Sequence, residues 1–214
     1  MKRHMNIIFF LIVSIFCLLS CGGNGSGGES EASASLQAGQ YRAILKNMNG
    51  SVPGNNAYGT AVVYLNGDEL EVKLNMADSH ANVSHLQQIY SGGNCPGMEA
   101  DANADGVVDA LEGERFYGNA VLALDKDLTS QDPKGSSFPR ANGSGNYSYS
   151  TKADLPAVRD SLAGSNFGLS GRTFVIHGVR TGSLPATAAA QGELPAEASL
   201  PIACGMIVPI ASEE

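Results

Sequence analysis

Basic residues are scarce in this chain: 13 Lys and Arg stand against 21 Asp and Glu in 214 residues, a formal net charge of −8. A protein that holds a phosphate backbone does so with clustered Lys and Arg, so nucleic acid is excluded as a partner. Catalytic and phosphate-binding signatures are missing too. No Gly-x-Ser-x-Gly elbow presents a nucleophile, and no Gly-rich stretch runs into Lys-Ser or Lys-Thr at a helix start. There is no internal repeat. Cysteine and histidine number only four each, which limits any transition-metal site to a few ligands. Only one long apolar run exists, Ile7 to Leu19, and it lies at the extreme N-terminus.

That run follows Met1-Lys2-Arg3-His4 and precedes Ser20-Cys21, giving a basic region, an apolar region and a small-residue cleavage point. It reads as an export signal over residues 1–20, not a membrane-spanning domain. Leu18-Leu19-Ser20-Cys21 resembles the bacterial lipobox. The resemblance implies that the Cys21 thiol carries a diacylglycerol and that the protein is anchored in a bacterial envelope by its N-terminal lipid. With no Asp after Cys21, it also implies the outer membrane if the host is Gram-negative. Residues 21–39, rich in Gly and Ser, have too few apolar side chains to fold and read as a flexible tether. The β-rich domain is expected over residues 40–214. The protein or ligand it meets is not legible.

Cys17 leaves with the signal and Cys21 is acylated, so Cys95 and Cys204 remain in the folded part. In an oxidising compartment, two cysteines of one domain most simply form one disulfide.

Asp101-Ala-Asn-Ala-Asp-Gly-Val-Val-Asp-Ala-Leu-Glu112 matches the EF-hand calcium loop at its diagnostic positions. Calcium takes six to eight oxygens. Here they would come from the side chains of Asp101, Asn103 and Asp105, the Val107 carbonyl, Asp109 directly or through water, and Glu112 as a bidentate clamp. Gly106 permits the sharp turn and Val108 is the apolar tether. The expected cofactor is calcium. Cys95-Pro96-Gly97 stands just upstream and Gly113 follows the loop at once, so no long helix enters it. A structural staple is expected in place of a helix-opening switch.

Elsewhere the pattern has period two. Tyr41, Ala43 and Leu45 alternate with polar residues, Tyr58–Leu65 is rich in β-formers, and Leu70, Val72, Leu74 and Met76 alternate with Glu69, Glu71, Lys73 and Asn75. Asn66-Gly67 between the last two runs predicts a hairpin with a type I′ turn. Further strands are expected at Ser84–Tyr90, Ala120–Leu124, Asn146–Thr151, Thr173–Val179 and Ile202–Pro209. The single expected helix is Asp154–Leu162, with Pro156 in its first turn. About 175 residues suffice for one domain with a core. The fold class is all-β, an antiparallel sandwich or Greek-key barrel with at most one short helix.

On these strands, Gly171-Arg-Thr-Phe-Val-Ile-His177 and Ile202-Ala-Cys-Gly-Met-Ile207 resemble two signatures of the copper/zinc superoxide dismutase family: a late strand ending in a copper-binding histidine and a last strand bearing a disulfide cysteine. His85-Leu-Gln-Gln88-Ile-Tyr90 followed by Cys95 is similar to the family's His-x-x-His-x-His strand and the loop with the partner cysteine. Gly118-Asn119 and Asp125-Lys126-Asp127 are similar to the end of its zinc loop, and related patterns occur in chordin-type (CHRD) domains. The resemblance implies a dismutase-like Greek-key fold, a Cys95–Cys204 bridge and a structural role for His85. Gln88 and Tyr90 occupy two copper-ligand positions, and Leu200-Pro201 stands where the family keeps a substrate-guiding arginine, so dismutase activity is not expected. No catalytic residue is assigned. Two functions of different class follow: a non-catalytic envelope protein with calcium in the place of the family's zinc, or a copper/zinc-binding protein or dismutase-related metalloenzyme using a rearranged site of His80, His85 and His177.

Overall fold

The computed structural model describes residues 39–130, 135–163 and 168–211. The export signal, Cys21 and all of the tether but Gly39 lie outside the described residues. Nine strands follow in chain order: β1 Gly39–Asn47, β2 Tyr58–Asn66, β3 Glu69–Ala77, β4 Gln87–Tyr90, β5 Ala120–Ala123, β6 Tyr147–Asp154, β7 Thr173–His177, β8 Pro201–Met206 and β9 Val208–Pro209. Every pairing between them is antiparallel. The sheet runs β5-β4-β7-β8-β1-β2-β3-β6, with β9 continuing the line of β8 along β1, and it curls into a half-barrel.

Alternation in sequence becomes alternation in space. Leu70, Val72, Leu74 and Met76 of β3 are buried beside Ala61, Val63 and Leu65 of β2 and Ala43 and Leu45 of β1, while Glu69, Lys73 and Asn75 face solvent. Burying one such aliphatic side chain contributes about 1.5–3 kcal/mol, and a strand slipped by one residue would turn the whole set outward. The β2–β3 hairpin forms, with its turn one residue later than Asn66-Gly67 predicts. Asn66 pairs with Glu69, which leaves Gly67 and Asp68 as the two loop residues. Only Gly67, at φ 60°, has a positive φ there, the sign pattern of a type II′ turn.

The two ends of the sheet, β5 and β6, share no ladder. They are bridged by helix α2, Leu155–Ala163, which packs on both, and by the Tyr149 hydroxyl, which donates to the Asp125 carbonyl at 2.6 Å. Helix α2 is the one expected near Asp154–Leu162, but the limit of one short helix is overturned. An eight-residue α1 spans Ala110–Tyr117 and a four-residue α3 spans Ala196–Ser199. The reason is local. Asp109 caps α1 by accepting from Leu111 N and Glu112 N, and Glu112 returns a bond from Asp109 N, a capping box that offsets the low helix propensity of Gly113. Gly113 is also required by packing, since a Cβ there would stand 2.6 Å from the Tyr117 hydroxyl, which bonds back to the Ala110 carbonyl at 3.0 Å. The expected absence of a long entering helix is matched by a single short turn, Met98–Ala100, ahead of Asp101.

Candidate metal loop and histidine network

Residues 101–112 fold back on themselves around backbone N–H groups. Asp101 accepts from Asp105 N and Gly106 N, Asn103 from Asp105 N, and Asp105 from Val107 N. Glu112 closes the ring from the far end, one oxygen taking Ala102 N at 2.8 Å and Asn103 N at 3.2 Å, the other Asp109 N at 3.0 Å. Gly106 has φ 89° and Ala104 φ 58°. The loop is tied down by Asn49, itself at φ 56°. Its amide accepts from Val108 N at 2.6 Å and donates to the carbonyls of Val108 at 2.9 Å and Pro201 at 2.8 Å. Val107 and Val108 are buried, so the expected tether at Val108 is present, and Asn49 is its other half.

The charge balance of this loop is unusual. Asp109 and Glu112 expose 3% and 8% of their surface, and Asp101 and Asp105 lie on the same ring. Among the described residues no Lys, Arg or His forms a salt bridge with any of them. Carboxylates gathered out of water need a counter-charge or dense hydrogen bonding. Here Thr187 Oγ1 donates to Asp105 at 2.8 Å and Ala189 N to Asp109 at 2.9 Å, drawing the 181–199 segment over the loop. Glu112 Oε1 and Asp109 Oδ1 each accept two N–H bonds, whereas both Asp101 oxygens and Glu112 Oε2 accept one and keep a second lone pair. The donors are all oxygen, which fits a hard cation and not a transition metal. Among the described residues no group of three or more His, Cys, Asp or Glu side chains is arranged as a metal cage, because the loop's carboxylates are turned onto backbone N–H groups.

Cys95 and Cys204, 109 positions apart in the sequence, form a disulfide with their Cα atoms 5.7 Å apart. It joins the loop after β4 to the middle of β8, beside Tyr90, Val108 and Tyr117 in a small second core.

The histidines are held by separate partners. His177, fully buried at the end of β7, lies with Nδ1 2.7 Å from the Ser199 carbonyl and Nε2 2.9 Å from the Tyr90 hydroxyl. Burial pushes its pKa down to about 4, the Ser199 carbonyl opposing the shift, so the ring is neutral at pH 7. A carbonyl only accepts, which places the single proton on Nδ1 and makes Nε2 an acceptor for Tyr90. The Tyr90 hydroxyl also lies 2.8 Å from Gln88 Oε1, and its one proton serves one of the two contacts at a time. His85 points its two nitrogens at the carbonyls of His177, 3.0 Å, and His80, 3.2 Å, and stacks on Tyr147. Its pKa is lowered by burial, so it gives its one proton to one of the two. His80 Nδ1 accepts from Arg180 N at 3.1 Å.

Thus His80, His85 and His177 are brought near one another through backbone bonds, and their rings do not converge as ligands. His80 is buried, with 4% of its surface exposed. Gln88 and Tyr90 do line a common cavity of about 900 Å³ with Ser84, Phe138 and Glu193. Asn49 and Arg180 were not legible as site residues. Asn49-Gly50 signals a turn, but nothing local ties it to residues 59 and 152 positions away. No family model matches the chain, and no curated protein matches its sequence.

Proposed function

We propose that this is a lipid-anchored protein of the bacterial envelope whose β-domain is stapled by calcium at residues 101–112 and by the Cys95–Cys204 bridge, with a non-catalytic binding role. The observation that carries the calcium reading is the buried, unpaired negative charge of a loop whose donors are all oxygen. Asp101, Asn103, Asp105, Asp109 and Glu112 would hold the ion with the Val107 carbonyl. Calcium would supply charge neutralisation and fix the acidic part of the excursion between β4 and β5, whose Ala100, Val108 and Tyr117 pack in the second core. Its position at one end of a capped eight-residue helix, with no helix of comparable length before it, favours a staple over a switch.

The dismutase-like reading of the fold draws support from three placements: His177 closing β7, Cys204 on its neighbour β8, and Cys95 in the loop that follows β4. The non-catalytic reading draws support from Tyr90, whose hydroxyl occupies His177 Nε2, and from Gln88 beside it. Metal analysis of the protein lacking residues 1–20 tests this reading. About one equivalent of calcium with little copper or zinc is expected, and stoichiometric copper would overturn it. Fatty-acid labelling tests the anchor: Cys21→Ser should lose the label, and equal incorporation into the variant would remove Cys21 from the account.

A further inference from the structure

Four loops meet around a cavity of about 460 Å³ whose walls include Asn56, Asp78, His80, Ser144, Arg180 and Ser183. Its volume is that of a small-molecule site. The walls are set by hydrogen bonds. Ser79 donates both its N–H and its hydroxyl to the Gly145 carbonyl, Asn56 N bonds the Asp78 carbonyl, and Asn142 Oδ1 accepts from Ser144 N and Asn146 N.

His80 is the group that this packing leaves incomplete. Its carbonyl faces His85 Nε2, and its Nδ1 accepts the Arg180 backbone N–H, so the proton of the neutral ring is on Nε2. That N–H has no partner and exposes less than 1 Å². Buried donors are nearly always satisfied, and one that is not calls for a water, an ion or a ligand. Neither ring nitrogen offers a lone pair outward, which makes His80 a donor and excludes it as a metal ligand in this state. The Arg180 side chain is exposed, makes no salt bridge among the described residues, and is near enough for its charge to act on the His80 ring. Ser144 and Ser183 line the same cavity.

We infer that this cleft binds a small molecule through a carboxylate, with the His80 Nε2–H and the Arg180 guanidinium as the groups that recognise it. An Arg fork suits a planar two-oxygen anion. Asp78 on the same cavity sets the charge: it disfavours a doubly charged phosphate and leaves room beside it for an amine, so a singly charged carboxylate, alone or in a zwitterion such as an amino acid, fits best. Because Nε2 is covered, a ligand reaches it only if part of the wall moves, and the Arg180 side chain on that wall is exposed. The inference is independent of calcium at residues 101–112.

Nuclear magnetic resonance of the protein lacking residues 1–20, with ¹⁵N-labelled histidine, tests it. Acetate, glycine and inorganic phosphate are titrated to millimolar excess at constant ionic strength, with chloride as control. Acetate or glycine should move the His80 Nε2–H signal saturably while leaving His177 in place, and Arg180→Gln, at an exposed position, should weaken that binding by about tenfold, one charge-assisted hydrogen bond. No saturable movement with either carboxylate would show that Nε2 meets only water and overturn the inference. So would equal binding by Arg180→Gln, or phosphate binding more tightly than both carboxylates.

Discussion

Strand β3 buries Leu70, Val72, Leu74 and Met76 and turns its other residues outward, whereas β7 buries all five of its residues from Thr173 to His177. The first belongs to the four-stranded run β1-β2-β3-β6, whose long ladders need cover on one face only. The second belongs to β5-β4-β7-β8, whose strands are four to six residues long and are covered on the outer face by the loops between β4 and β5 and between β7 and β8. Those loops carry Cys95 of the disulfide, the acidic ring that Asn49 ties down from between β1 and β2, and the Ser199 and Arg180 contacts to His177 and His80. A half held by its own ladders needs no staple; a half covered by irregular chain is held by a disulfide and by buried polar ties.

The largest expected break in that contrast comes from the disulfide. Cys95→Ser with Cys204→Ser should cost on the order of 4–5 kcal/mol on the chain-entropy account for a loop of this length. Amide exchange should rise first in β4, β7 and β8, with β2 and β3 protected to higher denaturant; uniform loss across both halves would erase the distinction. In the other half, Leu74→Ala should cost about 3–4 kcal/mol by cavity formation, and denaturant melts should show its calcium response unchanged.

Acid separates the halves next. His177 has a folded pKa of about 4, below the ordinary value of 6.5, so the unfolded chain takes up a proton first as pH falls. The stability is complete above pH 6.5 and is lost as pH falls from 6.5 towards 4, in total roughly 3 kcal/mol. His85, also lowered, adds to the same slope. Urea melts of His177→Gln should show a flatter acid limb, and an unchanged limb would mean that His177 is not held neutral. The smallest effect is expected at Lys152, whose exposed bond to Glu69 on β3 spans 2.7 Å: Lys152→Ala should leave the thermal midpoint unchanged within error.

What could be read from sequence follows the same division. The β1–β3 meander was legible because alternation with period two has one physical solution when one face is buried. Its turn slipped by one residue because Asn66-Gly67 and Gly67-Asp68 are both competent turn pairs, and the cross-strand register between Asn66 and Glu69 chose between them. Helix α1 was hidden by Gly113, which reads as a breaker until Tyr117 is seen to need the space. The acidic loop was legible as a spacing of oxygen donors, and the Cys95–Cys204 bridge as the pairing left by elimination and by resemblance. The His177–Tyr90–Gln88 chain and the His80–Arg180 contact were not, because they join residues 87 and 100 positions apart that carry no local pattern.

The central claim is that the loop-covered half is completed by calcium, and a calcium titration of the protein lacking residues 1–20, read by calorimetry and by thermal unfolding, tests it most directly. The account predicts saturable binding near one equivalent in the range of about 10⁻⁴–10⁻³ M, a midpoint that rises with calcium, and loss of most of both in Glu112→Ala. No heat of binding and no calcium-dependent shift in the unaltered protein would contradict it.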